Sequence, residues 1–203
     1  MGAARYVVFE GLEGCGKSTH VARLAESLGA VATREPGGTT VGAALRAAML
    51  DPANTSLSPR AEALMMAADR AQHAAEVVRP ALAAGRHVVS DRSVYSSLAY
   101  QGWGRGLGEA EVRRINDWAL EGTWPDLVVL IDAPLDVLTE RMKRRELDRF
   151  EREDQSFFQR VHDGFRAMAA AEPRRFVVVD GTPSKDEVRA AILAAVRERL
   201  GIG

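Results

Sequence analysis

Five short runs rich in β-branched residues punctuate the chain, at Arg5–Glu10, Ala30–Arg34, His87–Asp91, Leu127–Asp132 and Phe176–Asp180. Each is apolar almost without interruption, where a strand with one wet face would alternate. That pattern predicts parallel strands covered by helices on both sides. Stretches of helical spacing lie between them. Lys17–Leu28 is one, stopped by Gly29, and Thr39–Leu50 is a second, closed by Asp51-Pro52. A third opens at Ser58-Pro59, where serine suits the N-cap and proline the first helical position, and Pro80 inside Val77–Leu82 predicts a kink or break before Gly85. Ser184-Lys185-Asp186-Glu187 reads as a capping box for a last helix running to about Leu200. The sum is an α/β fold of three layers, α/β/α, around a five-stranded parallel sheet.

Length and charge narrow the classes of function. The 203 residues contain no Pro/Gly/Ser-rich linker, repeat or low-complexity segment, so one domain over 1–203 is expected. With 27 basic against 28 acidic residues the net charge is −1, and no global field favours nucleic acid or a membrane as partner. No apolar run approaches membrane-spanning length and the first residues lack a signal-like apolar region, which predicts a cytoplasmic protein. A single cysteine, Cys15, excludes an internal disulfide framework and reads as a small loop filler. His20, His73, His87 and His162 show no ligand spacing and read as surface or helix-face residues.

Candidate chemistry starts where the first strand ends. Gly11-Leu12-Glu13-Gly14-Cys15-Gly16-Lys17-Ser18 is a full G-x-x-x-x-G-K-S, placed between a strand and a helix, and reads as a P-loop for ATP that continues into Thr19. Its glycines let successive N–H groups turn inward around a phosphate at the positive end of the helix. Lys17 adds a mobile charge, and the Ser18 hydroxyl is of the kind that holds Mg²⁺. In an open parallel sheet ligands bind at the carboxyl ends of the strands. The second strand delivers Arg34-Glu35-Pro36-Gly37-Gly38-Thr39 there, and the third Ser90-Asp91-Arg92. Asp91 resembles a Walker B carboxylate, suited to Mg²⁺ directly or through water.

Taken with Phe9-Glu10-Gly11-Leu12-Glu13-Gly14, Ala67-Ala68-Asp69-Arg70, Ser96-Ser97-Leu98-Ala99-Tyr100-Gln101-Gly102 and Glu146-Leu147-Asp148-Arg149-Phe150-Glu151, these motifs resemble the thymidylate kinase family over nearly the whole chain. The resemblance implies a Mg²⁺-dependent transfer of the γ-phosphoryl group of ATP to dTMP, in the making of dTTP, by a homodimer. It implies that Arg92 grips the dTMP phosphate, that Glu13 lies near the sugar 3′-hydroxyl and that Arg70 reaches the thymine edge. Tyr100 is similar to the tyrosine that crowds the sugar 2′ position, Gln101 suits the ring edge, Pro36 would pack beside the thymine methyl, and Ser97 joins the substrate-binding set. An arginine only donates, so it can pair with O4 of thymine and not with the amino group of cytosine. Two positions depart from the family pattern. Met66 stands where an aromatic residue usually stacks on the base, and Tyr95 stands where an acidic residue is common.

The run Lys143–Arg152 is dense in charge and reads as an arginine-rich lid over about 143–154. Because the P-loop carries Glu13 and Gly14 where some members of the family place an arginine, the lid is expected to supply the positive charge. Arg145 and Arg149 are the candidates, with closure also excluding water. The nucleophile would be a phosphate oxygen that is already anionic, so no serine, histidine or cysteine base is required. Catalysis then reduces to alignment and charge neutralisation by Lys17, Arg92, Mg²⁺ and the lid. A nucleotide-controlled switch is the alternative from another class, and the absence of an Asn-Lys-x-Asp motif speaks against it. A kinase for another nucleoside or nucleoside monophosphate is the alternative within the class.

Overall fold

A computed structural model describes residues 3–142 and 148–201. Within them the chain alternates strand and helix, as the periodicity predicts. The strands are β1 (Tyr6–Glu10), β2 (Val31–Arg34), β3 (Val88–Asp91), β4 (Leu127–Asp132) and β5 (Phe176–Asp180), joined in one sheet of order β2-β3-β1-β4-β5. Every neighbouring pair is parallel. The register sets Phe9 opposite both Asp91 and Val129, and Arg34 opposite Asp91, so β1, β2 and β3 end abreast. Whatever follows Glu10, Arg34 and Asp91 therefore meets on one rim.

The interior strands β3, β1 and β4 are buried almost throughout, as their unbroken apolar runs require. The outer strands differ from that expectation. β2 alternates half-buried with exposed residues, and on β5 Val178 is exposed. An outer strand has a neighbour on one side only, and the helices that flank it leave alternate positions in water. Tyr6, Phe9, Leu127, Ile131, Phe165 and Met168 are among the largest wholly buried side chains of the core.

Helix boundaries follow local chemistry. α1 (Lys17–Leu28) ends at Gly29 in a left-handed conformation, and α2 (Thr40–Leu50) begins where the Thr39 side chain accepts from the Gly42 N–H. α3 (Pro59–His73) is capped by Ser58, whose hydroxyl accepts from Ala61 N. The break expected at Pro80 takes a softer form: α3 widens into a π turn at Ala74–Val78 and continues as α4 (Arg79–Ala83). The looser turn accommodates a residue that cannot donate to the preceding turn. A second π turn, Leu98–Gly104, extends α5 (Val94–Ser97) and brings Tyr100 and Gln101 to the same cavity wall. α6 (Glu109–Leu120), α7 (Leu135–Met142), α8 (Gln155–Ala171) and α9 (Lys185–Leu200) complete the layers. At α9 the capping box is formed in full, Ser184 and Glu187 each bonding the other's backbone.

Candidate active site

β1 ends at Glu10 and turns directly into the glycine-rich loop. Gly11 has φ +131°, and a Cβ there would lie 2.4 Å from the Ile131 carbonyl oxygen, so only glycine lets the loop leave beside β4. Leu12 and Cys15 turn their side chains into the core and offer the loop only their backbone. Glu13, Gly14, Gly16, Lys17, Ser18 and Thr19 line a cleft of about 1180 Å³ above the strand ends. The Lys17 ammonium donates to Gly11 O and Leu12 O, each at 2.9 Å, and the Ser18 hydroxyl donates to Asp91 Oδ2 at 2.5 Å.

Arg92 follows Asp91 with φ +69°. A left-handed backbone costs a residue with a side chain about 1–3 kcal/mol. Contacts on every side offset it. Its N–H donates to Phe9 O at 2.9 Å and its carbonyl accepts from Ser90 Oγ at 2.8 Å. Its guanidinium donates to Gly11 O at 3.0 Å, Ser96 Oγ at 2.9 Å and Glu13 Oε1 at 2.6 Å. The Tyr100 hydroxyl donates to the other Glu13 oxygen at 2.6 Å, and the Tyr100 ring centre lies 5.1 Å from the guanidinium carbon. Burial alone would raise the Glu13 carboxyl, but Arg92 and Lys17 outweigh it and hold Glu13 below the usual carboxylate range. Burial pushes the Tyr100 phenol well up. At neutral pH the group is a cation, a carboxylate and a neutral phenol. Glu10, wholly buried, accepts from the N–H and hydroxyl groups of both Ser93 and Ser96, and burial lifts its carboxyl to about 6 against the pull of Arg92.

A second cavity adjoins the cleft, and Glu13, Glu35, Arg46, Arg92 and Asp148 belong to the walls of both. Pro36, Met66, Arg70, Ser97, Tyr100 and Gln101 line it further. Arg70 is only 2% exposed: Nε donates to Glu35 Oε2 at 2.8 Å, Nη1 to Ser97 Oγ at 3.0 Å and to Asn116 Oδ1, and Nη2 to Ser93 O at 3.1 Å. Among the described residues these bonds leave one Nη2 hydrogen for the cavity. Glu35 Oε1 also bonds His73 Nδ1 at 2.7 Å, and the other ring nitrogen of His73 meets Thr33 Oγ1 at 2.7 Å. Arg70 and His73 overcome the effect of burial and keep Glu35 below the usual carboxylate range. Gln101 gives its amide N–H to Glu62 Oε1 at 2.9 Å, while its buried Oε1 has no partner among the described residues. An unsatisfied buried acceptor costs about 1–3 kcal/mol, which a donor brought to this wall would relieve.

Several expectations need correction. Arg149 does not face the phosphate loop: Nε donates to Met49 O at 2.7 Å and Nη2 to Glu62 Oε2 at 2.6 Å, which fastens this stretch of chain to α2 and α3. Arg145 lies outside the described residues, as do the rest of 143–147. Tyr95 departs from the family pattern without touching the site; it is buried in the core, packed edge-on against Phe176 and Trp124, with its hydroxyl on Glu172. Three of the histidines are buried rather than at the surface, His20, His73 and His162, the last bonded to Asp132 at 2.7 Å. Other basic residues enter the cleft wall unanticipated. Arg46 bonds Pro36 O at 3.0 Å, Arg141 holds Gly181 O with both terminal nitrogens at 3.1 Å, and Lys185 stands at the start of α9. Arg46 carries a legible signal, since it is the only charged residue in the otherwise apolar and small-residue α2.

A P-loop opposite a strand-end carboxylate, on a five-stranded parallel sheet whose rim also carries an adjoining pocket, places the molecule in the class of P-loop kinases. The chain belongs to the thymidylate kinase family, whose model matches residues 9–192. It is 47% identical to a thymidylate kinase of Solidesulfovibrio magneticus, over 96% of this chain and 100% of the relative. It is 45% identical to that of Trichlorobacter lovleyi, over 97% of this chain and 99% of the relative. Among solved structures it is similar to the thymidylate kinase of Ehrlichia chaffeensis, at 28% identity and a TM-score of 0.80, over 97% of this chain and 100% of that one.

Proposed function

We propose that this enzyme transfers the γ-phosphoryl group of ATP to dTMP, giving ADP and dTDP. The observation that carries the reading is the shared wall. Arg92 and Glu13 stand where the P-loop cleft and the polar-lined pocket meet, so a donor phosphate in one and an acceptor phosphate in the other converge on one guanidinium. An oxygen of the acceptor phosphate attacks the γ-phosphorus, the bond from phosphorus to the bridging oxygen breaks, and ADP leaves with the electron pair. The chain's residues align and neutralise. The loop N–H groups and Lys17 hold the β- and γ-phosphates, Lys17 exchanging its carbonyl partners for phosphate oxygens, while Arg92 orients the acceptor.

The Ser18 hydroxyl and Asp91 carboxylate form a pair of oxygen donors 2.5 Å apart in the cleft, and among the described residues no group of three or more His, Cys, Asp or Glu side chains could cage a metal. Such a sparse oxygen site suits Mg²⁺, which keeps water and phosphate ligands and takes few from protein. Bound there, Mg²⁺ would neutralise charge on the β- and γ-phosphate oxygens. In the pocket, the remaining Arg70 hydrogen fits O4 of thymine and the orphaned Gln101 oxygen fits N3–H. Tyr100 stands against the sugar, with Pro36 and Met66 against the ring.

The same reading takes the chain as one catalytic unit working in the cytoplasm. No helix among the described residues is long and apolar enough to cross a membrane. It also takes two chains to pair through Ser58–Ala74, a surface where Leu64 is 59% exposed, and sedimentation velocity tests that pairing. The test of function is steady-state ADP formation from ATP and Mg²⁺ with dTMP, dUMP, ribo-TMP, dCMP and AMP offered separately. Strong preference for dTMP is expected. Turnover that does not depend on an acceptor would remove the reading.

A further inference from the structure

The pocket rejects or accepts a base through hydrogen-bond direction, and that direction is only as firm as the side chains that show it. A primary amide is the least committed of them, because a half-turn about its last bond exchanges donor for acceptor. Gln101 is the amide in this wall, and its orientation is decided by the residue behind it.

Glu62, on α3, is wholly buried, yet its carboxylate accepts four hydrogen bonds. Oε1 takes Gln101 Nε2 at 2.9 Å and Arg105 Nε at 3.2 Å, and Oε2 takes Arg105 Nη2 at 3.1 Å and Arg149 Nη2 at 2.6 Å. A carboxylate only accepts, and two arginines hold this one in place. Turning the Gln101 amide over would set its oxygen against Glu62 Oε1 inside the protein, where an opposed pair of acceptors is poorly screened. We propose that Glu62 is a specificity-determining positioning residue: it locks the Gln101 amide so that the pocket presents an acceptor, which admits a base with an N3–H and excludes one whose N3 carries a lone pair. The inference rests on the dTMP reading above and deepens it. Arg149 belongs to the same device. Its bond to Glu62 ties the chain just before α8 to the carboxylate that holds the amide.

Cytosine is the informative competitor, because its N3 is an acceptor where that of thymine is a donor. The experiment compares kcat/KM for dTMP and dCMP in the wild type, in Glu62→Gln, in Glu62→Asp and in the exchange Glu62→Gln with Gln101→Glu. In Glu62→Gln the neighbour can donate as well as accept, the Gln101 amide is free to turn, and the dTMP-to-dCMP ratio is expected to fall about tenfold to a hundredfold, the weight of one hydrogen bond to a charged group. Glu62→Asp keeps an acceptor-only neighbour and should retain most of the ratio. The exchange places a carboxylate at position 101 that can only accept, and should restore preference for dTMP even if the single variant is too unstable to assay. A merely structural role would lower kcat/KM for both acceptors together. An unchanged ratio in Glu62→Gln, or no recovery of preference in the exchange, would overturn the role of Glu62 while leaving the kinase reading intact. A wild type that ignores dTMP would instead remove the function and this inference with it.

Discussion

The cleft over the P-loop takes six of its lining residues from one short run between Glu13 and Thr19, whereas the adjoining pocket draws Pro36, Met66, Arg70, Ser97 and Gln101 from three separate parts of the chain. The first is largely backbone, shaped by glycines and aimed by the start of α1. The second is side chain throughout, and each residue proposed to read the base is held by another side chain: Arg70 by Glu35 and Asn116, Gln101 by Glu62. Substitution should therefore act differently at the two ends. The phosphate end should lose rate and keep its fold, and the base end should lose stability along with selectivity.

The largest effect is expected at the base end. Arg70→Ala leaves the buried Glu35 carboxylate without its main partner, and breaking a buried pair in this way costs about 3–5 kcal/mol, to be read by chemical denaturation. A loss below about 1 kcal/mol would mean that Arg70 is no more integral to the fold than a surface arginine. Next come Lys17→Ala and Arg92→Ala, each expected to lower turnover by about a hundredfold or more for every acceptor, the usual size for one electrostatic stabiliser. Undiminished turnover in either variant would remove its assigned role, and a collapse of the fold would erase the contrast between the two ends.

The seam between the two ends responds to pH. Burial raises Glu10 from the usual 4.5 to about 6, so its contribution to stability is complete below 4.5 and is lost as pH rises through 6. From pH 4 to 7 that loss amounts to about 2 kcal/mol. In Glu10→Gln it should be missing, so the unfolding free energy of the variant relative to wild type should rise by that amount over the interval. A flat difference would show that Glu10 titrates normally. The smallest effect is expected at Arg149. With Arg149 fastened to Met49 O and Glu62, Arg149→Met should lower turnover less than about tenfold, short of what a transition-state contact would cost. A hundredfold loss in single-turnover kinetics would return Arg149 to the phosphoryl group.

The phosphate end was legible because its chemistry is written in consecutive residues, and the rule that ligands sit at strand ends carried the reading from Ser18 to Asp91 across the gap between β1 and β3. The five strands were legible for the same reason, each being a local apolar run. What could not be read was direction in space. Arg70 looks like any arginine on a helix until Glu35, Ser97 and Asn116 arrive from elsewhere. Glu62 looks like an acidic residue in the first turn of α3, where the helix dipole alone would explain it. His73 and His162 read as ordinary polar helix residues because the carboxylates that allow their burial, Glu35 and Asp132, lie far off in sequence. Arg149 stands in a charged run, and such a run does not say which carboxylate each member will find.

The left-handed turn at Arg92 has one more consequence. Its N–H is bonded to Phe9 O, which makes the arginine an extension of the ladder between β3 and β1, just as the P-loop is an extension of β1 itself. The two grips proposed for donor and acceptor phosphates thus hang from the ends of adjacent strands of one sheet, β1 and β3, whose backbones lie about 4.8 Å apart as paired strands do. The relative placing of the two grips is therefore set by the backbone ladder and does not depend on the charged segment that follows α7.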